Sequence, residues 1–164
     1  MIESQLVRWT KALRSGEYKQ GESWLSCQGA FCCLGVLADI TNDMGPPDAI
    51  KQCLTEQILD REFLPSAGIK TSSGELPGLL VDRDECNTPA PRANDEVTLA
   101  SLNDGMWVTE YELGYMRAKS DVIAEIPWRQ IKIGDGKDGT VGRYFIKLNF
   151  QQIAAIIEEF GEVL

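Results

Sequence analysis

The chain contains no histidine. That absence excludes Ser-His-Asp and Cys-His catalytic arrangements, HExxH zinc sites and a pH switch built on one imidazole. No apolar run reaches the 18 residues that a membrane-spanning helix needs, and the opening residues lack the apolar stretch of a signal peptide. Cysteine is sparse and odd in number: Cys27, Cys32, Cys33, Cys53 and Cys86, with no CxxC pair. These are read as reduced thiols of a cytosolic protein, and their spacing gives no support to a four-thiolate zinc site. Positive charge is also short. Sixteen basic residues face 25 acidic ones, for a net charge of −9, so non-specific binding of duplex nucleic acid is not expected.

What is present suffices for one domain. The 164 residues are 43% hydrophobic, enough to bury a core without disulfides or metals. Charge is unevenly spread. Residues 1–20 carry +2, from Arg8, Lys11, Arg14 and Lys19 against Glu3 and Glu17, and the remaining chain carries −11. Most charge runs are solvated helix faces. The alternative is a local positive site for an anionic ligand or an acidic partner.

Leu6, Trp9 and Leu13 fall on one helical face, with Ser4 as a candidate N-cap and Gly16 placed for a left-handed C-cap. A short extended piece is expected near Ser23–Ser26. The apolar segment Phe31–Ile40 reads as a buried helix, with a buried strand as the alternative. Asp48 can cap a third helix over about 49–63, ended by Pro65. Residues 66–96 read as loops with one strand near Leu79–Val81. From Val97 the pattern turns to β: Trp107, Thr109, Tyr111 and Leu113 alternate with Val108, Glu110 and Glu112, and Ile131–Ile133 pairs as a hairpin with Tyr144–Leu148. Asn149 and Gln152 form a capping box for a last helix, on which Phe150, Ile153, Ala154 and Ile157 share a face. There is no internal repeat.

The motifs that could carry chemistry are few. Gly134–Gly139 satisfies GxGxxG, but a strand pattern follows where a dinucleotide site needs a helix, so a hairpin turn is the better reading. The same stretch fails as a calcium loop, because Lys137 stands where a ligand oxygen is required. Cys32 and Cys33 open an apolar run. A helix N-terminus can lower a thiol pKa, but the usual base is missing, and small buried residues packing like alanine explain them as well. Asn94-Asp95-Glu96 and Asn103-Asp104-Gly105 read as turn chemistry. Trp9 belongs to an apolar stripe. Trp24 lies in a connector beside Lys19 and Gln20, where it can pack or serve as a stacking platform.

Two segments carry a resemblance: Trp9-x-x-Ala12-Leu13-Arg14-Ser15-Gly16-x-Tyr18-Lys19-Gln20 and Phe31-Cys32-Cys33-Leu34-Gly35-Val36-Leu37. With Leu102-Asn103-Asp104 and Phe150-x-x-Ile153-Ala154-x-x-Ile157-Glu158, they resemble a set of small bacteriophage- and prophage-encoded proteins. In that set the last two pieces lie close together, whereas here residues 105–149 separate them. The resemblance implies a phage origin and a cytosolic accessory role, and it carries no catalytic residues over.

The expected fold is α+β, one domain: a helical core built from both ends of the chain, with an inserted, β-rich subdomain at 105–149 forming a small antiparallel sheet. The expected function is binding rather than catalysis, in the host cytosol, by sequestering an anionic, nucleotide-type signal or occupying a host protein. Arg8, Lys11, Arg14, Tyr18, Lys19 and Trp24 are the candidate ligand-binding residues. Arg14 would fork onto a phosphate, and Trp24 or Tyr18 would stack a base. No cofactor, metal or membrane is implied, and a homo-oligomer with ligand held between subunits fits the compact motif. The rival readings are a thiol- or carboxylate-dependent enzyme and an acidic nucleic-acid mimic.

Overall fold

The computed structural model describes residues 2–42, 59, 61, 64–80, 96–134, 143–161 and 164. Apart from residues 59 and 61, the expected helix over 49–63 lies outside these residues, as do its Asp48 cap, residues 81–95 of the expected loops over 66–96, and all of the expected Gly134–Gly139 turn but Gly134. The described chain is α+β, with helices and small sheets sharing one core.

Helix α1 spans Ile2–Arg14. Ser4 therefore lies inside the helix instead of capping it. Gly16 turns the chain out of the helix with φ +77°, a left-handed conformation that glycine enters without a Cβ penalty. Three two-residue strands follow: β1 Lys19–Gln20, β2 Ser26–Cys27 and β3 Ala30–Phe31. The order is β1-β3-β2, with β1 parallel and β2 antiparallel to β3. Because Ala30 and Phe31 are taken up by the sheet, helix α2 begins at Cys33 and runs to Asn42.

Helix α3 covers Leu64–Ala67, and strands β4 Glu75–Leu80 and β5 Glu96–Thr98 pair antiparallel. Thr98 caps helix α4, Leu99–Asp104, through a reciprocal box with Ser101. Strand β6, Met106–Thr109, comes next. The expected strand through Leu113 ends here. Thr109 and Glu112 form a second capping box, which opens helix α5 at Glu110–Lys119 and buries Leu113 and Met116 one turn apart. Ser120 caps the short helix α6, Asp121–Ala124. Strand β7, Lys132–Ile133, and strand β8, Arg143–Ile146, complete a three-stranded antiparallel sheet of order β6-β8-β7. Residues 105–149 thus carry helices α5 and α6 as well as strands, where a β-rich stretch was expected. They share the common core, since Val108, Leu113, Met116, Ile123 and Ile146 are all buried there.

Helix α7, Phe150–Phe160, begins with the expected Asn149–Gln152 capping box. Its apolar stripe packs against α1, so the two ends of the chain close one interior. Trp9 is fully buried in that interior, and its indole N–H donates to the Cys33 carbonyl at 2.9 Å. Burying so large a ring with its one polar group satisfied removes apolar area without leaving an unpaired donor.

Candidate functional site

The thiol pair sits where α2 enters the core. A helix start leaves N–H groups without intrahelical partners. Here the Cys33 N–H donates to Asn103 Oδ1 at 3.3 Å, and the Gly35 N–H donates to Cys32 Sγ at 3.3 Å. Both thiols are buried, and the Cys33 thiol donates to the Leu99 carbonyl at 3.5 Å. Burial pushes the Cys32 thiol up to about 11 and the Cys33 thiol well above the ordinary range. Desolvation of the thiolate outweighs the helix N-terminus, so both stay protonated near neutrality. Cys27, by contrast, is exposed. Among the described residues no cluster of His, Cys, Asp and Glu could hold a metal ion.

Asn103 is the residue whose role sequence reasoning missed. It is fully buried. Its Oδ1 accepts from the Cys33 N–H and from Gln20 Nε2 at 3.1 Å, while its Nδ2 donates to the Gly21 carbonyl at 2.9 Å and to Asp104 Oδ1 at 2.9 Å. Gln20 Nε2 also donates to the Leu148 carbonyl at 2.8 Å. The amides of Asn103 and Gln20 together therefore join β1, the start of α2, the end of α4 and the entrance to α7. The signal was present in the Leu102-Asn103-Asp104 motif, but a turn reading gives no reason for an asparagine to be buried.

The six candidate ligand residues are not gathered into one site. Arg14 forks onto Glu158 of α7, with Nη1 on Oε1 and Nη2 on Oε2, the latter at 2.8 Å. That pair raises the Arg14 guanidinium pKa and lowers that of Glu158, chiefly through the hydrogen bond between them. Arg8 Nη2 donates to the Ile40 carbonyl at 3.0 Å, and Tyr18 donates its hydroxyl to Asp39 Oδ2 at 2.6 Å, so both meet the last part of α2. The Tyr18 ring also packs edge-on to Phe31, with centroids 5.2 Å apart. Arg8, Arg14 and Tyr18 thereby pin α1 and its following turn to α2 and α7. Lys11, Lys19 and Trp24 remain exposed, and no ion pair among the described residues engages either lysine. Trp24 lies in the loop whose Glu22 is paired with Lys147.

Among the described residues no helix is long and apolar enough to cross a membrane. The profile of one family, described as a domain of unknown function (DUF8296), matches residues 2–160. No curated protein and no solved structure matches.

Proposed function

The chain belongs to the DUF8296 family, and from that premise we propose that it acts by binding, not by covalent catalysis, as a phage or prophage accessory protein in the host cytosol. Its ligand is an anion of the nucleotide class or an acidic feature of a host protein. The observation that carries this reading is how the reactive and the charged side chains divide. The buried thiols Cys32 and Cys33 are held protonated, while Lys11, Lys19 and Trp24 face solvent. A nucleophile sealed from solvent meets no substrate, whereas exposed cations and an indole attract anions and flat rings. The motif resemblance supports the phage assignment.

Native mass spectrometry of the protein recovered from infected cells tests this, because it reports subunit number and retained ligand together. A retained small anion, lost in a Lys11→Glu/Lys19→Glu variant, is the expected result. An empty protein that also captures nothing from a nucleotide panel or a host pull-down would sink the reading. So would iodoacetamide alkylation of Cys32 in the folded protein as fast as that of Cys27.

A further inference from the structure

The outward face of the β6-β8-β7 sheet carries a row of residues with no assigned role. In the register, Trp107 of β6 stands opposite Phe145 of β8, which stands opposite Lys132 of β7. Side chains alternate between the two faces of a sheet, so these three share one face and Arg143, two residues before Phe145, shares it with them. The other face carries the buried Val108 and Ile146, with Tyr144 half-buried and Ile133 exposed at the β7 edge. The Trp107 and Phe145 rings lie 5.1 Å apart at 53°, and Lys132 Nζ is 5.6 Å from the Phe145 centroid. Phe145 is held down because its ring crosses Gly105, where an added Cβ would lie 2.1 Å from the ring. Trp107 is 38% exposed, and Lys132 and Arg143 are exposed. No ion pair among the described residues engages either cation. Lys147, two residues after Phe145, is already paired with Glu22.

We propose that this face binds single-stranded nucleic acid, with bases stacking on Trp107 and Phe145 and phosphates meeting Lys132 and Arg143. The inference does not rest on the N-terminal cations discussed above. Rings interleaved with cations on an open sheet match the bases and phosphates of a strand in both chemistry and charge. A duplex hides its bases from such rings. A free nucleotide offers this flat row one base and few contacts, whereas a strand adds several weak contacts along it. The net charge of −9 does not forbid local binding, because at physiological salt charges beyond about 8 Å are largely screened.

The test is fluorescence anisotropy with a fluorescein-labelled dT15 strand, alongside a duplex of the same length and ATP. The strand is expected to bind and to quench tryptophan emission, and the duplex and ATP to bind at least tenfold more weakly. With two phosphates neutralised, raising salt from 50 to 200 mM should weaken binding about sevenfold. Trp107→Ala should cost about tenfold and abolish most of the quenching. Lys132→Glu/Arg143→Glu alters two exposed side chains, so it should keep the wild-type melting temperature and lose detectable binding. Trp128→Ala, an exposed ring packed on Tyr144 of the opposite face, should leave affinity unchanged. Absence of dT15 binding at 50 mM salt, equal affinity for duplex or for ATP, or indifference to the charge reversals would overturn the proposal.

Discussion

Among the described glycines, Gly35 leaves the least room for a side chain. Gly35 lies in the first turn of α2, and the backbone of Leu25 crosses directly over it. A Cβ built on Gly35 would sit 1.7 Å from the Leu25 carbonyl oxygen and 2.6 Å from its carbon. Leu25 cannot yield cheaply. Its side chain is fully buried, and its carbonyl accepts the Cys32 N–H at 3.2 Å. Gly35→Ala sets two effects against each other. Helix propensity favours alanine over glycine by about 1 kcal/mol. Overpacking against fixed backbone costs about 3 kcal/mol, and losing the Cys32–Leu25 hydrogen bond about 1 kcal/mol more. The net expectation is destabilisation of about 3 kcal/mol, which lowers the melting temperature by about 6–12 °C at this chain length. Gly114, in α5, supplies the control, since nothing lies within 4 Å of its added Cβ. Gly114→Ala should raise the melting temperature by about 2–4 °C. Thermal unfolding followed by circular dichroism, with urea midpoints as a check, measures both. A Gly35→Ala protein melting at or above wild type would show that the Leu25 segment moves without cost, and the close-approach argument would fail.

Other expectations follow from the same contacts. Asn103→Ala should cost about 3–4 kcal/mol in urea unfolding, because it strips partners from the buried Cys33 N–H and Gly21 carbonyl; Asn103→Asp should not rescue it, having no N–H to donate. Cys32 is an acid whose folded pKa of about 11 lies above its ordinary 9.0. The unfolded chain therefore releases that proton first as pH rises, and stability should fall from about pH 9 to about 11, by roughly 2–3 kcal/mol for this group. Cys32→Ala should show a shallower alkaline decline, and equal slopes would contradict the assignment. Arg14→Ala should cost only about 0.2–1 kcal/mol, less at high salt, because the Glu158 pair is exposed. The lowered Glu158 pKa makes that contribution present above the ordinary carboxyl pKa and lost on acidification through the folded value, so a difference between wild type and Arg14→Ala that persists at pH 2 would refute it.

Much of the architecture was legible in the sequence because periodic apolar residues report burial directly. The stripe Leu6, Trp9, Leu13 and the stripe Phe150, Ile153, Ala154, Ile157 each belong to one helix face, and the two helices pack together. The Asn149–Gln152 box and the β7–β8 pairing were equally local signals. The segment after Thr109 is ambiguous in sequence, because Trp107, Thr109, Tyr111 and Leu113 satisfy a period of two while Leu113 and Met116 satisfy a helical one. The Thr109–Glu112 capping box decided between them. Among the candidate ligand residues, charge and exposure could be anticipated, but pairing could not. Arg14 and Glu158 are 144 residues apart, and only the packing of α1 on α7 brings them into contact.

The sequence by itself determined which faces must be buried, where several helices begin, and that imidazole chemistry is absent, since each follows from residue type and short-range spacing. Only the tertiary structure decided that Asn103 caps a helix 70 residues away, that the paired thiols are sealed, and that Trp107, Phe145 and Lys132 line up on one open face. Those arrangements depend on the register and crossing of distant segments, which the whole core fixes at once and no local pattern encodes.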